Sequence, residues 1–346
     1  MVVEYILTYQ ENKNDNESTA LDCVMPAVKA DIKTILNNAD ILFENLPIKK
    51  IYVISPENAK EEFYANNHDE RISFLDEREL VNVNSVEKIY RAVLGLETGS
   101  AGHYTQQFVK MSFAEYTDKK YYLLWDGDTL PLKNIEIFSN DRRPYFDLKT
   151  EYHLPYFHTM KKLLPDIYKT VNRSFISEHM LIQTDYMREL ISEIESRKDI
   201  KGAKYYEKIM NVIIDGNSFS EYETYGNFVT IRHPDKYILR EWKSLREGNR
   251  FYDNDSIKEH AKWLSGYYDA ITFERYHKIS RLAYIAKSRR FQQMFSPEAM
   301  ESLISLSSKG LLLPKIIKLL IPKKLKNFIK RYILKRDSQQ PIKIKI

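Results

Sequence analysis

Apolar and polar positions follow one another along the chain in a pattern that predicts an α/β fold. Short apolar runs typical of buried strands, rich in β-branched and aromatic residues, occur at 2–8, 50–55, 72–75 and 121–125. Apolar residues recur at helical spacing over 24–43, 85–94 and 104–116. Strands that alternate with helices predict a single, mostly parallel sheet flanked by helices.

The strand at 121–125 ends at two carboxylates, Asp126 and Asp128, which are separated by Gly127. Open α/β sheets bind ligands beyond the carboxyl ends of their strands. Gly127 allows a tight turn, so both carboxylates can approach one point and hold a hard divalent cation together with phosphate oxygens. In the alternative interpretation, Asp126 and Gly127 only reverse the chain. The preceding apolar strand favours the ligand site.

Other residues at the same predicted sheet edge are candidates for binding a nucleotide. Thr8 and Tyr9 end the first predicted strand, and Asp76 follows the third. Tyr9 could stack on a base, and Asp76 could accept a hydrogen bond from a base N–H or a ribose hydroxyl. Tyr9 and Asp76 could equally be ordinary loop residues.

The helix at 104–116 carries three polar residues close together, Gln106, Gln107 and Lys110. Gln106 and Lys110 share a face at i,i+4, and Gln107 and Lys110 are i,i+3 neighbours. Lys110 could serve a pyrophosphate as a point charge. An exposed helix face would explain the same residues.

Later in the chain, the predicted strand 175–183 contains Glu178 and His179 among apolar neighbours. Ser220 and Glu223 fit a capping box at a helix N-terminus, which is a structural explanation for Glu223. Glu221 would lie in the first helical turn, where backbone N–H groups favour its charged form and suit it as a base.

His233 follows the predicted helix that begins near Ser220. A lone histidine in a loop is more often structural than a ligand. Neutral imidazole is nevertheless a common ligand of transition metals, so His233 is also a candidate metal ligand.

Composition narrows the class of protein. The chain has 346 residues, with 43% hydrophobic and 29% charged residues, which is typical of a globular protein. A single cysteine, Cys23, excludes an internal disulfide. The N-terminal apolar run is too short for a signal peptide, and no apolar stretch is long enough to span a membrane, so we expect a cytoplasmic protein.

The charge is concentrated at the C-terminus. Residues 311–346 carry a net charge of +10 against +5 for the whole chain, so the preceding residues are mildly acidic. Basic and apolar residues in this tail recur at helical spacing, interrupted by Pro314 and Pro322. Basic amphipathic helices lie in membrane interfaces and are attracted to anionic lipids. A nucleic-acid-binding tail or a docking helix are alternatives, but few stacking groups are present, so we favour the membrane and expect no nucleic acid.

Four motifs in order resemble a bacterial family of surface-polysaccharide loci with the GT-A glycosyltransferase fold, catalogued only as a domain of unknown function. The motifs are Gly-His-Tyr-Thr-Gln-Gln-Phe-Val-Lys at 102–110, Tyr-Tyr-Leu-Leu-Trp-Asp-Gly-Asp at 121–128, Ser-Glu-His at 177–179 and Ser-Glu-Tyr-Glu-Thr-Tyr-Gly at 220–226. His103 stands where an aromatic residue is expected, and Gly127 where Ala is frequent. The resemblance covers about residues 1–250.

The resemblance implies a glycosyltransferase of the hexosyltransferase type that uses a UDP-sugar donor and a Mn²⁺ or Mg²⁺ ion. It implies transfer to a hydroxyl of a glycan or lipid-linked oligosaccharide, with inversion and a glutamate base. If configuration is retained instead, Glu221 would position the substrate. The implied roles are metal binding for Asp128, Asp126 and His233, donor contacts for Gln107, Lys110 and His179, and the base for Glu221, with Glu223 and Glu178 as substitutes.

Together these features predict a catalytic domain at 1–250, a helical extension at 251–306 and a membrane-associating tail at 307–346. We expect the enzyme to act on the inner face of the cell membrane. A sugar nucleotidyltransferase is the second enzyme hypothesis, but its glycine-rich phosphate loop has no counterpart at 9–17. The third hypothesis is a non-enzymatic adaptor that binds membrane or nucleic acid, in which Asp-Gly-Asp is only a turn.

Overall fold

The computed structural model describes residues 20–96, 101–254, 256–274, 277–280, 282–308 and Asn327. The chain divides into two compact units. The first comprises Met1–Gly127 and Glu136–Arg240, and the second comprises Asp128–Ile135 and Glu241–Ile346.

The elements alternate as an α/β protein requires. The strands are β1 (Leu21–Pro26), β2 (Ile48–Ser55), β3 (Ile72–Asp76), β4 (Tyr121–Trp125), β5 (Thr129–Pro131), β6 (Tyr145–Leu148), β7 (His179–Gln183), β8 (Ile238–Glu241), β9 (Ser244–Leu245) and β10 (Ala270–Thr272). The helices are α1 (Ile32–Asn45), α2 (Lys60–Asn66), α3 (Val83–Leu94), α4 (Gly102–Tyr116), α5 (Leu154–Leu163), α6 (Thr184–Ser196), α7 (Tyr205–Val212), α8 (Glu221–Arg232), α9 (Ile257–Leu264), α10 (Ala283–Ala286), α11 (Arg289–Met294) and α12 (Ala299–Ser308).

The main sheet of the first unit has the strand order β3-β2-β1-β4-β7. The first four strands are parallel, and β7 pairs antiparallel with β4. Strand order reverses between β1 and β4, because β2 and β3 lie on one side of β1 and β4 on the other. Such a switch point leaves a crevice beyond the carboxyl ends of the strands. The predicted α/β class with a mostly parallel sheet is confirmed.

Strand β1 corrects one part of the sequence interpretation. Residues from Val24 onward were expected to be helical, but Leu21–Pro26 is a strand and the helix begins at Ile32. A central parallel strand is covered on both faces, so its sequence lacks the polar alternation that marks a half-exposed strand. The expected strand at 2–8 lies outside the described residues, as do Thr8 and Tyr9.

Helix α8 is buried on every side over its first nine residues, although the sequence there is rich in polar groups. Gly226 makes this possible on one face, because a Cβ at this position would lie 2.3 Å from the ring of Phe175. Burial of polar groups requires hydrogen-bond partners, and α8 therefore carries a connected polar network.

In the second unit, β10 joins β5 in antiparallel and β9 in parallel pairing. The hydroxyls of Thr129 and Thr272 lie 2.9 Å apart across this sheet. The unit boundary after Arg240 precedes the predicted boundary at residue 250, and residues 128–135 join the second unit.

Helices α9 to α11 lie within 251–306, and α12 runs past 306 to Ser308. Most of the predicted tail lies outside the described residues. No helix in the described part of the chain is long and apolar enough to cross a membrane.

Candidate active site

Asp126 follows directly on β4, where the adjacent strand β7 fixes its backbone. The Asp126 N–H donates to the Glu178 carbonyl at 2.9 Å. Glu178 has a φ of 63°, a left-handed conformation that is uncommon for a non-glycine residue. Its buried carboxylate pairs with Lys149, which holds the residue in place. Strained backbone of this kind persists where surrounding contacts over-determine it.

The Lys110 ammonium lies between two carboxylates, at 2.8 Å from Asp126 Oδ1 and 2.9 Å from Glu221 Oε1. It also donates to the Tyr222 hydroxyl at 3.1 Å, and this hydroxyl lies 3.3 Å from Asp126 Oδ1. Helix α4, the end of β4 and the start of α8 each contribute to this arrangement, which we call the Lys110 cluster (Lys110, Asp126, Glu221 and Tyr222).

The electrostatics of the Lys110 cluster keep Lys110 charged and Tyr222 neutral. Burial opposes the charge of Lys110, but the carboxylates of Asp126 and Glu221 outweigh it and hold the pKa of Lys110 well above its usual range. Burial, together with the charge of Asp126, raises the pKa of Tyr222, so the phenol stays protonated. One ammonium faces two carboxylates, and the cluster has an excess negative charge.

The three N–H donors of Lys110 are all used within the cluster. The ammonium therefore has no donor left for a diphosphate in this arrangement, contrary to the contact predicted for Lys110. Its role in the structure is to position Asp126 against Glu221.

Gln107 also positions the site. Its side-chain oxygen accepts from the Glu221 N–H at 3.1 Å, and its amide nitrogen lies 3.0 Å from His103 Nε2. With Ser220, whose hydroxyl accepts from the Glu223 N–H at 3.2 Å, it caps the N-terminus of α8. The expected nucleotide contact of Gln107 is thus replaced by a helix cap.

Glu223 points to a different set of partners from Glu221. The Ser174 hydroxyl donates to it at 2.7 Å and the Asn227 amide at 3.2 Å. Burial raises the pKa of Glu223 despite the opposing hydrogen bond from Ser174. All three base candidates are buried and paired, with exposed fractions of 4% for Glu221, 2% for Glu223 and 4% for Glu178.

His179, the predicted donor contact, is buried and hydrogen-bonded within the protein. Its Nε2 lies 2.9 Å from Asp147 Oδ2, and its Nδ1 lies 2.9 Å from the Ser177 carbonyl oxygen. Both ring nitrogens are therefore engaged within the protein. Asp147 in turn receives two hydrogen bonds from the Arg240 guanidinium, at 2.6 and 2.7 Å. His179 packs against Trp125, so this chain of groups supports the end of β4.

Replacing Arg240 by Gln is expected to move acid unfolding to higher pH. Burial favours protonation of Asp147, but the hydrogen bonds from Arg240 and His179 prevail and lower its pKa. A carboxylate with a depressed folded pKa stabilises the fold above its unfolded pKa, about 3.9, and this stabilisation is lost as pH falls through the folded pKa. Without the guanidinium the loss begins at higher pH.

Circular dichroism during acid titration measures this shift. Arg289→Gln, at an exposed position of α11, is the matched control and should leave the midpoint unchanged. Identical midpoints for Arg240→Gln and wild type would contradict the assignment.

His233 lies at the opposite end of α8 from the Lys110 cluster. It stacks on Tyr186 at 3.7 Å between ring centroids, and its Nε2 lies 2.6 Å from Glu189. The rise of 1.5 Å per residue puts His233 about 18 Å along the helix from Glu221. Since Glu221 and Asp126 share one ammonium, His233 cannot share a metal ion with Asp126. The metal role predicted for His233 therefore has no support from this arrangement.

Asp76 does not reach into a ligand site either. Both of its carboxylate oxygens are held by Arg78, at 2.6 Å for the Nη2–Oδ2 pair, and the hydrogen bonds from Arg78 lower the pKa of Asp76. Its neighbour Glu77, in contrast, lines a cavity, and burial raises the pKa of Glu77.

This cavity, of about 230 Å³, lies beyond the carboxyl ends of β1, β2 and β3. Its lining residues are Pro26, Ala27, Val28, Ile54, Pro56, Glu77, Val83, Glu87, Gly102, Thr105, Gln106 and Val109. The Thr105 hydroxyl is 3% exposed and finds no hydrogen-bond partner among the described residues. Sequence reasoning missed Glu77 and Thr105, although Thr105 stands inside the motif at 102–110.

A divalent cation would find one suitable oxygen on Asp126. Oδ1 is bound by Lys110 and Tyr222, whereas Oδ2 receives no hydrogen bond from the described residues, and the side chain is 33% exposed. Hard cations prefer such oxygens. Asp128 opens the second unit, where its carbonyl accepts from the Phe273 N–H. Within the described residues, no group of three or more His, Cys, Asp or Glu side chains is placed to hold a metal ion.

Comparison with known proteins gives the family. The model described as "Family of unknown function (DUF6492)" matches residues 20–293, and the chain belongs to this family. No curated protein matches the chain.

Several solved structures have a similar fold. The galactosyltransferase LgtC, in complex with donor and acceptor sugar analogues, is 14% identical, with a TM-score of 0.37 and coverage of 89% of this chain and 99% of that one. Mouse xyloside xylosyltransferase 1 is 13% identical, with a TM-score of 0.42 and coverage of 75% and 99%. The glycosyltransferase GlyE of Streptococcus pneumoniae TIGR4 is 12% identical, with a TM-score of 0.35 and coverage of 83% and 64%.

Proposed function

We propose that this chain is a GT-A-type glycosyltransferase that moves a sugar from a UDP-sugar to a hydroxyl of a surface-polysaccharide acceptor. The observation that carries the proposal is the Lys110 cluster. It includes a partly exposed carboxylate, Asp126, at the carboxyl end of β4, next to the switch point of a mostly parallel sheet. The four sequence motifs contribute Lys110, Asp126, Glu178 and Glu221 to this one region.

The cavity beside the switch point suits the nucleoside of the donor. Apolar side chains such as Val28 and Val83 can contact a base, while Glu77 can accept from a base N–H and the buried Thr105 hydroxyl gains a partner. The cavity is formed at the ends of β1 to β3, so a nucleoside bound there would direct its diphosphate toward the neighbouring strand β4.

Mn²⁺ or Mg²⁺ fits the oxygen donor set offered by Asp126 Oδ2, and the sequence places Asp128 as its companion. When bound, the cation would neutralise the charge that develops on the diphosphate leaving group. Lys110 holds Oδ1 of Asp126 and so keeps Oδ2 in one orientation.

The acceptor hydroxyl must lose a proton as it attacks the anomeric carbon, which requires a carboxylate within hydrogen-bond reach. Glu221 remains our choice for this base in an inverting reaction, since it belongs to the same cluster as Asp126. Glu223 and Glu178 are the alternatives. The basic tail at 307–346 supports a peripheral position on the inner face of the cell membrane and a lipid-linked acceptor.

Nucleotide release from UDP-, GDP-, CMP- and dTDP-sugars with Mn²⁺ tests this function. We expect metal-dependent turnover of one UDP-sugar, reduced at least about 100-fold in Asp126→Asn, because stabilisation of the leaving group is lost. Asp128→Ala should lose activity similarly. Asp69→Asn is the matched control, since Asp69 pairs with Arg71 before β3, and it should keep full activity. If no nucleotide sugar were turned over, or if Asp126→Asn were fully active, the proposal would fail.

A further inference from the structure

An exposed aromatic side chain, Tyr152, and a partly buried one, Phe157, stack on each other on the first unit. Tyr152 follows β6 and is 63% exposed, and its ring stacks on Phe157 of α5 with 5.5 Å between centroids and 21° between planes. The Lys169 ammonium lies 5.0 Å from the Phe157 centroid and 6.0 Å from that of Tyr152. We call these three residues the aromatic platform.

The loop that carries Tyr152 is attached to the site at both ends. On one side Lys149 pairs with Glu178, whose carbonyl accepts from the Asp126 N–H. On the other side His153 Nε2 lies 2.9 Å from the carbonyl oxygen of Asn217, which shortly precedes α8 and Glu221. The platform is therefore tied to the two segments that position Asp126 and Glu221.

Lys169 gives an independent indication of this proximity. Its charge opposes the burial that raises the pKa of Glu223, a residue in the first turn of α8. The Lys169 ammonium also donates to the Arg173 carbonyl, which fixes its position over the rings. Lys161 and Lys162 of α5 are exposed, and so is Arg173, which follows Lys169 by four residues.

Such a surface has the properties of a binding site. Aromatic rings held in place and exposed to water lose little conformational entropy when a flat apolar face is laid on them, and exposed apolar patches with polar rims mark interaction sites. A pyranose ring offers a C–H face to stack and hydroxyls to hydrogen-bond. The nearby ammonium and guanidinium groups would attract an anionic substituent on that sugar.

We propose that the aromatic platform binds an acidic sugar residue, a uronate or a phosphate-bearing sugar, of the acceptor glycan. Its description as an acceptor subsite rests on the proposed glycosyltransferase function. Binding of an acidic glycan to Tyr152 does not require that function, so the two ideas can fail separately.

The test is binding of the full-length chain to immobilised oligosaccharides that end in glucuronic acid, in glucose 6-phosphate or in glucose. We expect preference for the acidic ends over glucose and binding about tenfold weaker in Tyr152→Ser, as for loss of an aromatic anchor. Tyr64→Ser is the matched control, because Tyr64 is 59% exposed and also packs on aromatic rings, Phe63 and Phe74, but lies on α2. It should bind as wild type does.

Three results would overturn the proposal: no binding to any of these glycans, equal affinity of Tyr152→Ser and wild type, or no preference for the acidic ends. If Tyr152→Ser kept its glycan binding but lost binding to phosphatidylglycerol vesicles, the platform would instead be a membrane contact. If the chain bound the acidic glycan but turned over no nucleotide sugar, the glycan-binding site would stand and the proposed glycosyltransferase function would be contradicted.

Discussion

Lys110→Met is expected to lower the free energy of unfolding by about 3–5 kcal/mol, the cost of removing one partner from a buried ion pair. Glu221 is 4% exposed, and without the ammonium its carboxylate would remain buried beside Asp126 with no cation. Asp126 contributes less to this loss, since its side chain is 33% exposed and water can solvate it. Urea unfolding at neutral pH measures the difference.

The raised pKa of Lys110 decides how pH changes its contribution to the free energy of unfolding. A lysine with a raised folded pKa contributes stability that is fully present below its unfolded pKa, about 10.4, and lost as pH rises through the folded pKa. The difference between wild type and Lys110→Met should therefore be constant between about pH 6 and 9. Adding Glu221→Gln to Lys110→Met should restore much of the stability by removing the buried charge. If Lys110→Met lowered the free energy of unfolding by less than about 1 kcal/mol, the ion pair between Lys110 and Glu221 would not be buried as described.

The fold was largely predictable because its signals are local. The apolar run before Asp126 predicts β4, and the helical spacing before Tyr116 predicts α4. Ser220 and Glu223 predict the start of α8, which the structure confirms. Strand β1 was missed because a strand buried on both faces lacks alternation.

The roles of the site residues were less predictable, because they depend on contacts between distant segments. Lys110 and Glu221 are 111 positions apart, and their pairing is set by how α4 packs on α8. The same packing turns Gln107 into a cap of α8. The motif at 177–179 suggested that His179 contacts a ligand. In the structure its Nε2 lies against the carboxylate of Asp147, which belongs to a different strand, β6. The sequence therefore identified these residues as a group but did not show which role each of them has.

Glu221→Gln is expected to lower sugar transfer by about 10²–10⁴-fold, the usual contribution of a general base, and Glu223→Gln by less than about tenfold. Both are buried glutamates in the first turn of α8, so each serves as the other's control. They differ in partners. The Lys110 ammonium pairs with Glu221 next to Asp126, whereas Ser174 and Asn227 bind Glu223.

Transfer to an acceptor and donor hydrolysis by water should be measured side by side with the UDP-sugar that the wild type uses. A base for the acceptor hydroxyl affects transfer more strongly than donor binding, so Glu221→Gln should lower kcat more than it raises the donor KM. A larger loss of kcat in Glu223→Gln would assign the base to Glu223, whose pKa is raised by burial. Glu221 would then act only through Lys110, as the anion that holds the ammonium against Asp126.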